Sequence, residues 1–164
     1  MSSERGRLVA GSDGNMGCMT IFEALRESHQ TQRTLLDQLV KTHGDSDGRR
    51  ELFDRLKAEL EHHALAEERH FYVPLMEHDL TQEKSRHSVA EHHEMDELVE
   101  ELESTDMSSP GWIATAKTLK ERVEHHLDEE EQEVFQMAGK ALTDAQKSQL
   151  ATEYRAHMDE LAAG

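Results

Sequence analysis

Four long stretches of the chain place apolar residues three or four positions apart, the period of an amphipathic helix. The first predicted helix covers 21–42, opened by the capping pair Thr20 and Glu23 and followed by Gly44. The second covers 49–76, with Pro74 placed to kink or stop its last turn. A break over 79–81 leads to a third over 82–103. The loop 104–109 and the first-turn residue Pro110 start the fourth, which runs to about 138. Thr143 with Gln146 opens a shorter fifth helix that ends near Leu161. Long helices joined by short loops favour antiparallel neighbours. The expected fold class is all-α, an up-down-up-down four-helix bundle with a short additional C-terminal helix. Residues 1–19, rich in Gly, Ser and charge, are expected to form a flexible tail, and 20–164 one domain.

Each apolar stripe carries a histidine. In the first helix it reads Phe22, Leu25, His29, Leu36, Leu39. In the second it reads Phe53, Leu56, Leu60, His63, Glu67, Phe71, Pro74. The third gives Val89, His92, Met95, Val99, Leu102, with His93 nearer the polar edge. The fourth gives Leu119, Val123, His126, Glu130, Val134, Met137. The second and fourth helices therefore share a His-x-x-x-Glu register, and both carry an aromatic nine residues after the histidine, at Tyr72 and Phe135. The repeat suggests a pseudo-twofold arrangement.

An ionised glutamate is almost never buried without a partner. Two of them on inward stripes, each one turn from an inward histidine, call for a cation. Four imidazoles and two carboxylates suit iron or manganese better than zinc, which settles for four ligands. Six ligands favour two ions with each carboxylate bridging the pair, leaving positions for an oxo or hydroxo bridge and an exogenous ligand. The predicted metal ligands are His29, His63, Glu67, His92, His126 and Glu130. Of the remaining histidines, His93 and His125 stand next in line as supporting or alternative ligands.

Composition narrows the function classes. The formal charge is −17, with 35 acidic against 18 basic residues, so neither nucleic acid nor a membrane is expected as a partner. A single cysteine, Cys18, excludes an internal disulfide and fits a reducing, cytoplasmic setting. The N-terminus lacks the apolar core of a signal peptide, and no apolar run reaches membrane-spanning length. No Gly-rich phosphate loop is present, and Cys18 has no placed base, which disfavours hydrolytic and thiol chemistry. Twelve histidines are several times an ordinary load, and a structural bundle has no need of them.

The segments IFEALRESH, HALAEERHFY, AEHHEMDELVEEL and HHLDEEEQEVF carry a resemblance to the hemerythrin-like, HHE cation-binding family over about 20–138. The resemblance implies a four-helix bundle with a carboxylate-bridged non-haem di-iron centre, whose ligands fall on the six residues above. It also implies binding of, or reaction with, a small diatomic or peroxide ligand: oxygen, hydrogen peroxide or nitric oxide. A non-enzymatic iron or oxygen sensor, or an iron store acting through a partner, is the second reading, and an assembly of two copies is left open. Oxygen-carrying hemerythrins have HxxxH in the third helix and HxxxxD in the fourth. Here His92 is followed by Asp96, and the fourth helix has HxxxE, which weighs against reversible oxygen carriage. The iron–sulfur repair relatives carry paired cysteines, whereas Cys18 stands alone.

Overall fold

The computed structural model describes residues 19–164, so Cys18 and the tail expected before it lie outside the described residues. The described residues form helices α1 (Ile21–Leu39), α2 (Asp47–Glu67), α3 (Val73–Met76), α4 (Asp79–Ser104), α5 (Pro110–Glu129), α6 (Phe135–Ala141) and α7 (Asp144–Ala163). One π-helical turn, Glu68–Tyr72, joins α2 to α3, and a second, Glu130–Val134, joins α5 to α6. The rods α1, α2–α3, α4 and α5–α6 are the four expected long helices, and α7 lies against α1 and α2.

Side-chain caps set most of the helix starts. Thr20 accepts from the Glu23 amide at 3.3 Å, Ser46 from Arg49 at 3.2 Å and Ser109 from Trp112 at 3.2 Å. Thr143 and Gln146 close a full reciprocal capping box on α7. Each such cap contributes about 1 kcal/mol. The first helix is three residues shorter than its periodicity suggested. Val40 ends it, and the turn that follows passes through Gly44 at φ 61°, where glycine has no Cβ to clash. Asp79 belongs to α4, and the break falls at Glu77–His78 instead. Pro74 does not end its helix. It sits in the first turn of α3, where its missing N–H is harmless because the π turn has already altered the ladder. The C-terminal helix is 20 residues long, the same length as α5.

Two apolar clusters fill the bundle. One gathers Leu36, Leu39, Phe53, Leu56, Trp112 and Leu119 at the end formed by the α1–α2 and α4–α5 loops. The other gathers Leu25, Phe71, Tyr72, Leu75, Phe135 and Tyr154 at the opposite end, beneath α7. Between them lies a layer of buried polar side chains.

At the first end, Arg49 is itself buried (3 % exposed). Its guanidinium lies 4.6 Å from the Trp112 ring centroid. It donates to the Thr42 carbonyl at 2.6 Å, to Thr42 Oγ1 at 2.9 Å and to the Met107 carbonyl, tying both loops to the start of α2.

Candidate metal centre

All six residues that the stripes turned inward meet in the polar layer, and none is more than 4 % exposed. They form two groups. In one, His29, His63, Glu67 and Glu130 each offer an atom within 4.8 Å of the others; in the second, Glu67, His92, His126 and Glu130 do the same. The carboxylates belong to both. Glu67 Oε2 lies 3.2 Å from His63 Nε2 and 3.8 Å from His29 Nε2, while its Oε1 lies 3.2 Å from His92 Nε2. Glu130 Oε1 lies 3.0 Å from His29 Nε2, while its Oε2 lies 3.4 Å from His126 Nε2.

The outward ring nitrogens are all held. His29 Nδ1 pairs with Glu131 Oε1 at 2.8 Å, and His92 Nδ1 with Glu68 Oε1 at 3.0 Å. His126 Nδ1 pairs with Glu91 Oε1 at 3.2 Å, and His63 Nδ1 with the Tyr154 hydroxyl at 2.7 Å. A carboxylate can only accept, so Nδ1 carries a proton in three of the rings, and when those rings are neutral Nε2 is free to offer a lone pair inward. The pseudo-twofold extends to these supports. The residue after each shared glutamate, Glu68 or Glu131, holds the ring from a helix that supplies one histidine. Arg33 braces Glu131 at 3.0 Å, and Ser28 Oγ lies 2.7 Å from the Tyr154 hydroxyl.

The π turns explain the nine-residue spacing. A step of four from His63 reaches Glu67, and a step of five reaches Tyr72; His126, Glu130 and Phe135 repeat it. The i to i+5 hydrogen bonds run from the Val73 N–H to the Glu68 carbonyl and from the Phe135 N–H to the Glu130 carbonyl. The extra residue turns the aromatic onto the line of its glutamate. Tyr72 then donates its hydroxyl to Glu130 Oε2, and Phe135 stacks on His29 with centroids 6.0 Å apart. Such turns recur at functional sites.

Charge is left uncompensated at the middle of the layer. The buried atoms His29 Nε2, His63 Nε2, both oxygens of Glu67 and Glu130 Oε1 have no hydrogen-bond partner. His92 Nε2 and His126 Nε2 face one another at 3.2 Å, two inward nitrogens with at most one proton between them unless a ring is charged. Burial and the neighbouring charge of Glu67 push the Glu130 carboxyl well above its usual range. Burial would lower His92, yet Glu67 and Glu68 outweigh it and raise the ring to about 9. His29 is likewise raised, burial being outweighed by Glu130, Glu131 and Glu67. His63 and His126 are lowered, chiefly by burial. Four imidazole nitrogens and four carboxylate oxygens thus converge, several without partners, which is what a pair of bound cations would satisfy. The donor set fits two ions of iron or manganese.

His93 and His125, expected as supporting or alternative ligands, are not part of this arrangement. Their side chains are 78 % and 73 % exposed and pair with Glu97 and Glu129 along their own helices. The stripe reading also passed over Gln32, Tyr154, Glu91, Glu68 and Glu131. Glu68 and Glu131 could have been found from the Glu-Glu doublets; Tyr154 carries no local signal, being 91 residues from His63. A third group, His87, Glu91 and Glu129, lies at the surface.

A buried His/Glu layer inside a four-helix scaffold defines a cation-binding helical bundle. The chain belongs to the hemerythrin HHE cation-binding domain family, whose sequence model matches residues 20–138. It is similar to a crystal structure of a hemerythrin HHE cation-binding domain-containing protein from Mycobacterium kansasii, with a TM-score of 0.80 and 26% identity over 88% of each chain. No curated protein sequence matches the chain. Among the described residues, no helix is long and apolar enough to cross a membrane.

Proposed function

We propose that the protein holds two iron ions on His29, His63, Glu67, His92, His126 and Glu130, and binds or reacts with a small oxidant: oxygen, hydrogen peroxide or nitric oxide. The observation that carries this reading is the sharing of both glutamates. Each directs one oxygen to the His29/His63 side and the other to the His92/His126 side. A single ion on either side would leave at least one oxygen of Glu67 buried and unpaired.

When bound, the iron pair would supply redox capacity and open coordination positions. The chain's own residues do the rest. Glu68, Glu91, Glu131 and Tyr154 fix the ring orientations. The Tyr72 hydroxyl holds a proton against Glu130 Oε2, among the described residues the one polar hydrogen from outside the six that reaches the shared carboxylates. The two apolar clusters exclude bulk water on either side.

A second reading is a non-enzymatic iron or oxygen sensor, or an iron store, working through a partner. It is favoured by one observation: the six residues come from all four long rods, so metal occupancy and bundle stability are coupled. One experiment separates these readings. Elemental analysis of protein purified without chelator or affinity metal is followed by spectral titration with peroxide and nitric oxide. Two irons per chain with spectral change and turnover support the first. Two irons with no turnover and a large metal-dependent rise in melting temperature support the second. Metal-free protein with intact helix content removes both.

A further inference from the structure

The group formed by His87, Glu91 and Glu129 lies outside the buried layer, where α4 and α5 pack side by side. His87 and Glu91 stand one turn apart on α4, and Glu129 meets them from α5. His87 Nε2 is 3.4 Å from Glu91 Oε1 and 3.8 Å from Glu129 Oε1. The two carboxylates are sheltered, at 16 % and 20 % exposed, while the ring is 55 % exposed and open to an arriving ion. Sheltered acids this close repel each other unless a cation joins them. Among the described residues, Lys84 is the one lysine or arginine that pairs with either. It belongs more closely to Glu133, with Nζ 2.5 Å from that carboxylate and 3.4 Å from Glu129, and it forms no ion pair with Glu91.

We propose that His87, Glu91 and Glu129 form a separate surface site for a zinc-type divalent cation, with the fourth position open to solvent. Donors on a tetrahedral zinc, each about 2.0–2.1 Å from the ion, stand roughly 3.3 Å apart. The separations of 3.4 and 3.8 Å from the ring to the two carboxylates are near that value, so an ion between them needs little rearrangement. One imidazole, two carboxylates and a water complete the four positions that zinc takes. The neighbouring pair His93 and Glu97 shows what is special here. It has the same one-turn spacing on α4 and lies 3.7 Å apart, but no acid from another helix joins it. The site does not depend on the two-ion reading, because none of its residues is among the six. It does touch the buried layer, since Glu91 Oε1 also accepts from His126 Nδ1 at 3.2 Å. A cation on Glu91 therefore draws charge from the support of that ring.

The test uses zinc itself on the full chain, after iron loading so that the buried layer is filled. Calorimetric titration should show one zinc per chain, and crystals soaked in zinc should show an anomalous peak at the zinc edge between His87, Glu91 and Glu129. His87→Ala changes an exposed ring and should leave helix content and iron content as in the parent. It should weaken zinc binding at least about tenfold, the least that losing even an outer partner of a metal costs. His93→Ala removes an equally accessible ring from the same helix and should leave zinc affinity at the parental value. Parental zinc affinity in His87→Ala, or an equal loss in His93→Ala, would mean scattered binding to surface histidines and overturns the proposal. Iron at two per chain with no zinc peak beside His87 ends the surface site and leaves the two-ion reading standing. A chain that takes up no iron but shows that zinc peak does the reverse.

Discussion

Glu67 and Glu130 approach the same two pairs of imidazoles from opposite rods, and each divides its carboxylate oxygens between them. Two carboxylates so placed in an apolar interior cannot both stay ionised without compensation. The pair titrates as a unit, and burial beside Glu67 pushes the Glu130 carboxyl well above its usual range in metal-free protein. Cation binding favours the ionised form of both carboxylates.

Replacing Glu130 by glutamine therefore affects the two states differently. Glutamine matches the shape of the protonated carboxyl, so Glu130→Gln should leave metal-free stability nearly unchanged. Metal affinity should fall by more than about 100-fold, beyond the loss usual for an outer hydrogen-bond partner. Denaturant melts under chelator, paired with competitive metal titration, check both halves. A large loss of metal-free stability would show that Glu130 is charged there.

The histidines give a pH dependence with opposite signs in the two states. In metal-free protein His92 is raised from 6.5 to about 9 by Glu67 and Glu68. Its stabilising contribution is present below about 6.5 and is lost as pH rises through about 9. Metal binding requires the deprotonated ring, so it strengthens over the same window. The rise in melting temperature on metal addition should grow from pH 6.5 to 9. A constant or shrinking difference would contradict this assignment.

Much of this centre can be read from the chain, and the limits are physical. Uniform helical period is enough to turn His29, His63, Glu67, His92, His126 and Glu130 inward, because each lies at a three- or four-residue step from a leucine, valine or phenylalanine. The same assumption hid the π turns, since a step of five is not in the period. The nine-residue spacing to Tyr72 and Phe135 was visible, but its cause was not. Gln32 was lost because the first stripe was carried from His29 straight to Leu36, over a polar residue that happens to be buried. Tyr154 could not be found at all, because packing of α7 on α2 is a long-range choice that periodicity does not record.

Tyr154 gives the next prediction. Its hydroxyl joins His63 Nδ1 and Ser28 Oγ, and burial pushes its own ionisation upward, so it remains a neutral phenol. Tyr154→Phe preserves the packed ring and removes the contact to His63. Metal affinity should fall about 10- to 100-fold with the helix content intact. Competition against a chelator of known affinity measures it. An unchanged affinity would mean that His63 is oriented by packing alone.

Arg49 separates stability of the bundle from integrity of the centre. Arg49→Met retains apolar contact with Trp112 but leaves the Thr42 and Met107 carbonyls without their donor. Metal-free stability should fall by about 1–3 kcal/mol, since two part-buried carbonyls lose a charged partner. Metal stoichiometry should not change, since Arg49 lies among the residues of the loop end, away from the polar layer. Chemical denaturation and elemental analysis check the two statements separately.

The most direct measurement is an anomalous difference map at the iron edge from crystals of iron-loaded protein. Two peaks per chain are predicted, one between His29 and His63 and the other between His92 and His126, with Glu67 and Glu130 touching both. A single peak in the polar layer, or iron only at the surface group of His87, Glu91 and Glu129, would contradict the shared-carboxylate centre.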